Sequence, residues 1–203
     1  MREPKTLLTY SLISAWQWAL NERSGETGYS DFLRTLNREP KTEYTESQIK
    51  GIDFENAVNS ILNGEPVDNV YGDEYICALK IAAEVRGGLY QYSANEDITV
   101  DGHEFALYGK IDFLKAGVVH DIKRTSKYEV GKYFGSFQTT IYLKLVRNAY
   151  AFEYDICDGK NVFKERYTRE DTPPIEPTIR EFMNWLKAND LWETYLTKWT
   201  SNR

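Results

Sequence analysis

The hydrophobic period of this chain changes near residue 87, and that change limits the folds open to it. Before Gly87-Gly88 the apolar side chains recur at three- and four-residue spacing; after it they alternate. Helices followed by a run of strands exclude an all-helical bundle, and they depart from the strand–helix alternation of a Rossmann sheet. Leu7 to Asn21 places Leu8, Leu12, Ala15, Trp16 and Ala19 at helical spacing, and Gly25 stops it. Tyr29 to Asn37 reads as a shorter helix ended by Pro40. Thr45 to Asn63 carries the clearest signals, with Thr45 and Gln48 as a capping box and Gly64-Glu65-Pro66 as the stop. Asp73 to Arg86 is the fourth helix.

Leu89–Ser93 and Asp97–Val100 then read as strand, Asp101-Gly102 as a tight turn, and His103–Leu114 as the partner strand. A turn at Lys115-Ala116-Gly117 leads into the strand Val118–Thr125. Tyr133 to Arg147 returns to helical spacing. Tyr150–Cys157 and Asn161–Thr168 form a hairpin around Asp158-Gly159, and Thr178 to Trp199 is helical with a break near Asn189-Asp190. The expectation is an α/β core whose mixed β-sheet is flanked by helices. The chain of 203 residues is read as one domain. It has a helical N-terminal part (about 1–86), a sheet and helix (about 87–168), and C-terminal helices (about 174–200).

Composition narrows the function classes. No apolar run approaches the ~20 residues that cross a bilayer. The opening Met1-Arg2-Glu3-Pro4-Lys5 lacks the continuous apolar segment of a signal peptide, so no membrane partner is expected and the location is read as cytoplasmic. Cys77 and Cys157 have no CxxC and no further partners, which excludes a Cys-only zinc or iron–sulfur site within one chain; buried free thiols are expected. The net charge of -6 argues against indiscriminate nucleic-acid binding. Its distribution says more: residues 110–147 hold eight Lys or Arg against three acids, so a basic island sits in an otherwise acidic chain.

Chemistry concentrates in that island. Alternation along Val118-Val119-His120-Asp121-Ile122-Lys123-Arg124 puts Asp121 and Lys123 on one face and His120 and Ile122 on the other. Asp112, opposite Ile111 and Phe113, lies on the preceding antiparallel strand, where it can approach Asp121. Neighbouring acids on a strand pair repel unless a cation is shared. Magnesium, with its preference for hard oxygen ligands, suits one or two such carboxylates. A lysine beside them can stabilise charge gathering on a phosphate. Glu55, flanked by Ile52, Val58 and Leu62, is placed on the apolar side of its helix, where a carboxylate needs a partner. Gln138 and Tyr142 share a helix face and could meet nucleic acid or the acids themselves. His120 is read as a packed core or edge histidine, and His103, after the hairpin turn, as solvated.

In order, Gly51-x-x-Phe54-Glu55, Gly109-Lys110-Ile111-Asp112, Asp121-Ile122-Lys123 and Gln138-x-x-x-Tyr142 resemble the PD-(D/E)xK nuclease superfamily, in particular its RecB-like and phage-exonuclease branch. The likeness covers about residues 45–147, with a weaker echo in Tyr10-Ser11-Leu12-Ile13-Ser14. It implies a restriction-endonuclease-like core and a magnesium-dependent deoxyribonuclease, an exonuclease acting on DNA ends, in which manganese can substitute. The alternatives are a site-specific or structure-specific endonuclease and a non-catalytic DNA-binding module. By the same resemblance, Asp112, Asp121 and the Ile122 carbonyl are metal ligands, Glu55 stands where relatives carry a Glu or a metal-binding His, and Lys123 is the catalytic lysine. Lys127, Lys132 and Arg124, with Gln138 and Tyr142, are the DNA-binding candidates. The four cysteines of the iron–sulfur members are missing, so no cluster is expected, and the chain carries no helicase signature. A phage recombination role, with recombination or replication proteins as partners, fits the resemblance; homo-oligomerisation is left open.

Overall fold

The computed structural model describes residues 5–201, so the segment Met1-Arg2-Glu3-Pro4 lies outside the described residues. In chain order the elements are β1 (Lys5–Thr9), α1 (Tyr10–Ala19), α2 (Gly25–Leu36), α3 (Glu46–Asn63), α4 (Gly72–Val85), β2 (Leu89–Val100), β3 (His103–Lys115) and β4 (Val118–Arg124). They continue with α5 (Phe137–Leu145), β5 (Ala151–Cys157), β6 (Val162–Tyr167), α6 (Ile175–Ala188), α7 (Trp192–Lys198) and β7 (Thr200–Ser201). This is an α/β fold with a mixed sheet ordered β6-β5-β4-β3-β1-β7, and β2 pairs with β3 off that path. No helix among the described residues is long and apolar enough to cross a membrane.

The chain divides into two compact units. The first takes Met1–Pro40, Ser93–Gly109 and Pro173–Arg203. Here the helix predicted from Leu7 begins only at Tyr10. Lys5–Thr9 is instead a strand, parallel to β3 from Thr6↔Phe105 to Thr9↔Tyr108 and antiparallel to β7. A partner about a hundred residues away decides this, which local spacing does not register. Thr9 then caps α1 by accepting the Leu12 N–H. The core of the unit is aromatic, with Phe32 edge-on to Trp185 at 5.2 Å and Trp16 5.3 Å from Phe182. His103 is not solvated as predicted. It is half-buried, 4.6 Å from Phe105 and 5.0 Å from Trp192 between ring centroids, with Nε2 2.9 Å from Thr6 Oγ1.

The second unit takes Lys41–Tyr92 and Lys110–Thr172. α3 has the capping box read from the sequence: Thr45 Oγ1 accepts from Gln48 N, and Gln48 Oε1 accepts from Thr45 N. Gly64 ends it at φ 70, a conformation only glycine adopts without strain. Phe54, Ala57 and Val58 of α3 and Cys77, Ala78 and Ile81 of α4 pack with Phe113, Ile122 and Cys157 in one buried cluster. Burying Phe54 and Val58 contributes about 1.5–3 kcal/mol each. Cys77 and Cys157 are free and buried, and burial pushes the Cys157 thiol up to about 12.

The turn between β3 and β4 is tighter than predicted. Lys115 already pairs with Val118, leaving Ala116 (φ 47) and Gly117 (φ 79) as a two-residue turn with both residues at positive φ. This fixes the register through Leu114↔Val119 and Phe113↔His120. β4 runs parallel to β5, with Asp121↔Tyr154, Ile122↔Asp155 and Lys123↔Ile156 in register. The connecting helix α5 starts at Phe137 rather than Tyr133, because Gly131 (φ 81) and Gly135 (φ 75) hold the preceding residues in turns. Ser136 caps it by accepting the Gln138 N–H.

Candidate active site

The second unit brings Asp112, Asp121, Lys123, Glu55 and Gln138 together. Beyond the β3–β4 pair Phe113↔His120, the Asp112 carboxylate acts as acceptor: Ile122 N donates to its Oδ2 at 2.8 Å. Asp121 is buried, and its Oδ1 receives Gln138 Nε2 at 2.5 Å. Its Oδ2 lies 2.5 Å from Lys123 Nζ, yet no donor meets that oxygen with hydrogen-bond angles. The Lys123 ammonium also stands 5.7 Å above the ring of Tyr154, the residue opposite Asp121 on β5. Its side chain is 28 % exposed, so the ammonium is reachable from solvent while the aspartate is not.

The acids strain against one another. Burial, then the charges of Asp121 and Glu55, hold the Asp112 carboxyl well above the usual carboxylate range; the Ile122 N–H and Lys123 only partly offset this. Glu55 is raised by burial and then by Asp121, against a hydrogen bond from Gln91 and the charges of Lys123 and Lys110. Ile52 is not part of a buried stripe as predicted: it is exposed, and Phe54, Ala57 and Val58 form the packed face, with half-buried Glu55 at its border.

Gln91 and Tyr90 belong to this neighbourhood and were not legible in the sequence. Gln91 sits inside β2 at φ 48, a left-handed conformation that costs a non-glycine residue on the order of 1 kcal/mol. Its amide acts against the upward push on Glu55 and donates to Tyr90 Oη at 3.1 Å. The Tyr90 phenol is pushed up by burial and by Glu55 and Asp112. No periodicity or motif marks either residue.

The remaining candidates are placed as follows. Gln138 and Tyr142 are both buried; Gln138 orients Asp121, and the Tyr142 hydroxyl donates to the Lys110 carbonyl at 3.1 Å. They brace the acids rather than face solvent. Arg124 is committed to Glu74 and to the Thr125 carbonyl. Lys127 is exposed and paired with Glu129, while Lys132 donates to Thr125 Oγ1 and the Lys127 carbonyl.

The other face of β4 holds a second polar cluster. His120 Nδ1 is 2.8 Å from Asp155 Oδ2 and 3.8 Å from Glu153 Oε1. Lys164 Nζ reaches Glu153 at 2.8 Å, Glu84 at 3.1 Å and Asp155 Oδ1 at 3.8 Å. Atoms of His120, Glu153 and Asp155 converge within 4.8 Å, as a metal site would need; Glu55, Asp112 and Asp121 do not meet that spacing. Lys164 already stands among those carboxylates as a counter-charge, and the cluster has the make-up of a buried ion-pair network. Its sequence signal is the alternation of Glu153 and Asp155 on β5 against Lys164 and Arg166 on β6, in register as Asp155↔Lys164 and Glu153↔Arg166.

No family model matches the chain, and no curated protein matches it. Among solved structures its fold is similar to the one described as "Crystal structure of SSO0001", with a TM-score of 0.54 and 13% sequence identity over 93% of this chain and 79% of that one. At that identity the likeness concerns the fold alone.

Proposed function

We propose that the chain is a magnesium-dependent DNA nuclease with a restriction-endonuclease-like core, hydrolysing phosphodiester bonds from DNA ends. One observation carries this reading: on adjacent strands the Asp112 carboxylate accepts the Ile122 N–H while buried Asp121 is held by Gln138 and meets the partly exposed Lys123 ammonium, and the charge of Asp121 adds to burial in raising Asp112 and the Glu55 of α3. Folding keeps like charges together at a cost when a bound cation offsets it. The donor chemistry fits magnesium, since the candidate ligands are hard carboxylate oxygens and Asp121 Oδ2, beside Lys123, is a buried acceptor with no aligned hydrogen-bond donor; the three carboxylates stand wider apart than a closed site and would draw in on the ion. Asp112, Asp121 and Glu55 would hold the ion, which when bound polarises a phosphodiester and lowers the pKa of water.

The protein's own groups supply the rest. Gln138 and the Ile122 N–H fix the carboxylate orientations of Asp121 and Asp112, so that neither must reorganise as substrate arrives. Lys123 projects from the Asp121 face and donates to the attacking water or to a phosphate oxygen. Its charge contributes most as negative charge gathers on phosphorus, which is stabilisation specific to the transition state. The test is incubation of end-labelled linear DNA and covalently closed circles with magnesium, manganese or excess EDTA. The expected result is metal-dependent shortening of linear DNA with circles persisting. Undiminished cleavage in EDTA rules the reading out, and efficient nicking of closed circles makes the enzyme an endonuclease.

A further inference from the structure

The loop of residues 125–136, between the Asp121–Lys123 strand and α5, exposes two large apolar side chains, Val130 at 93% and Phe134 at 72%. Exposed apolar side chains this complete cost solubility and need a reason. The loop beneath them is firmly held. Glu165, itself buried, accepts the Tyr128 hydroxyl at 2.9 Å, the Tyr133 N–H at 3.1 Å and the Tyr167 hydroxyl at 2.5 Å. Tyr128 lies against Phe163 at 4.6 Å, and Tyr133 stacks on Tyr154 at 4.6 Å with the planes 25° apart. Tyr154 is also the ring under Lys123. One aromatic ring therefore supports both the loop and the candidate catalytic lysine, and Phe134 leans on Tyr167 with its outer face in solvent. Lys132, whose bonds run to the neutral oxygens of Thr125 and Lys127, adds positive charge to the same loop.

We infer that Phe134 is a stacking platform for an unpaired base, and that the site takes a single-stranded or frayed DNA end whose backbone passes Lys132 toward Lys123. The inference rests on the nuclease reading and adds a substrate class to it. Three features favour this occupant. A base offers a π-face to a preorganised aromatic; a polyanion matches the exposed lysine charge; and the loop is packed to the candidate site through Tyr133 on the buried Tyr154 ring beneath Lys123.

The experiment measures binding without turnover. Fluorescence anisotropy in calcium buffer compares a 20-nucleotide oligothymidylate with a blunt hairpin duplex, and a 2-aminopurine at the oligonucleotide terminus reports stacking by quenching. Phe134→Ala is expected to weaken single-strand binding roughly 10-fold, the scale of one lost base–aromatic stack, and to relieve the quenching. It should leave the duplex nearly unchanged, and Phe134→Trp should restore both signals. Lys132→Glu should weaken both ligands and lower the salt slope by about one phosphate contact. Because Phe134 is exposed, its variants are expected to melt with the wild type, which a thermal scan checks. Unchanged quenching and affinity in Phe134→Ala overturn the stacking inference while leaving the nuclease reading intact. Failure of the wild type to bind either DNA removes both.

Discussion

The two faces of β4 carry similar charges to opposite ends. On one, Glu55, Asp112 and Asp121 gather with two of them raised, and the ammonium that touches Asp121 remains 28 % exposed. On the other, Glu84, Glu153 and Asp155 are met by Lys164, Arg166 and His120. Lys164 pulls the Glu84 carboxyl down, while burial still holds Asp155 above its ordinary value, with His120 and Lys164 acting against it. Clustered acids are therefore not informative by number. What distinguishes the faces is balance: on the first one ammonium, Lys123, lies against one of three carboxylates, while on the second Lys164 alone reaches all three and Arg166 adds a second cation.

The sharpest break of this comparison is Asp112→Asn or Asp121→Asn, each expected to reduce magnesium-dependent cleavage to background. The same variants should hold or raise the melting temperature in metal-free buffer, because repulsion is relieved. A large drop in melting temperature there would place these acids with the structural network of the opposite face.

Next in size is Lys123→Ala, expected to slow single-turnover cleavage at saturating enzyme and metal by ~10²–10³-fold, the scale of one lost transition-state donor. Lys123→Arg should rescue poorly, since a planar guanidinium does not reproduce the compact ammonium. Wild-type rates in Lys123→Ala would make the lysine an ordinary strand residue.

Lys164→Ala probes the compensated face. Stranding buried Glu153 and Asp155 should destabilise the fold by about 2 kcal/mol, less than a fully buried pair because the Lys164 side chain is 40% exposed. Denaturant titration should show the loss, with cleavage chemistry little changed at a temperature where the variant is folded. Equal stability would mean that the network does not need its ammonium.

The smallest effect expected is in the pH dependence of melting in EDTA. The folded-state pKa values of Glu55 and Asp112 are raised, so the native protein holds protons that the unfolded chain has released. Stability is then lost as pH rises through those folded values and recovered as it falls through them toward the ordinary carboxylate range. Glu55→Gln/Asp112→Asn should remove that loss, so its advantage over the wild type should widen as pH increases. Parallel curves would mean that the two carboxyls do not oppose each other in the folded protein.

Local physics made much of this legible from residues alone. The Thr45/Gln48 box and Gly64 delimit α3 because capping is satisfied within four residues, and alternation along β4 separates Asp121 and Lys123 from His120 and Ile122. The hairpin signals likewise set Asp112 on the strand beside Asp121. What only tertiary structure decided depends on partners distant in sequence. β1 is a strand because β3 pairs with it, and Gln138 and Tyr142 point inward because Asp121 and Lys110 are there to receive them. Gln91 reaches Glu55 from a backbone conformation that no spacing announces, and His120 meets Asp155 across a parallel ladder. Capping and alternation are properties of neighbouring residues and can be read in order along the chain. Counter-charge, burial and long-range pairing are properties of which segments meet, and that is settled only when the sheet assembles.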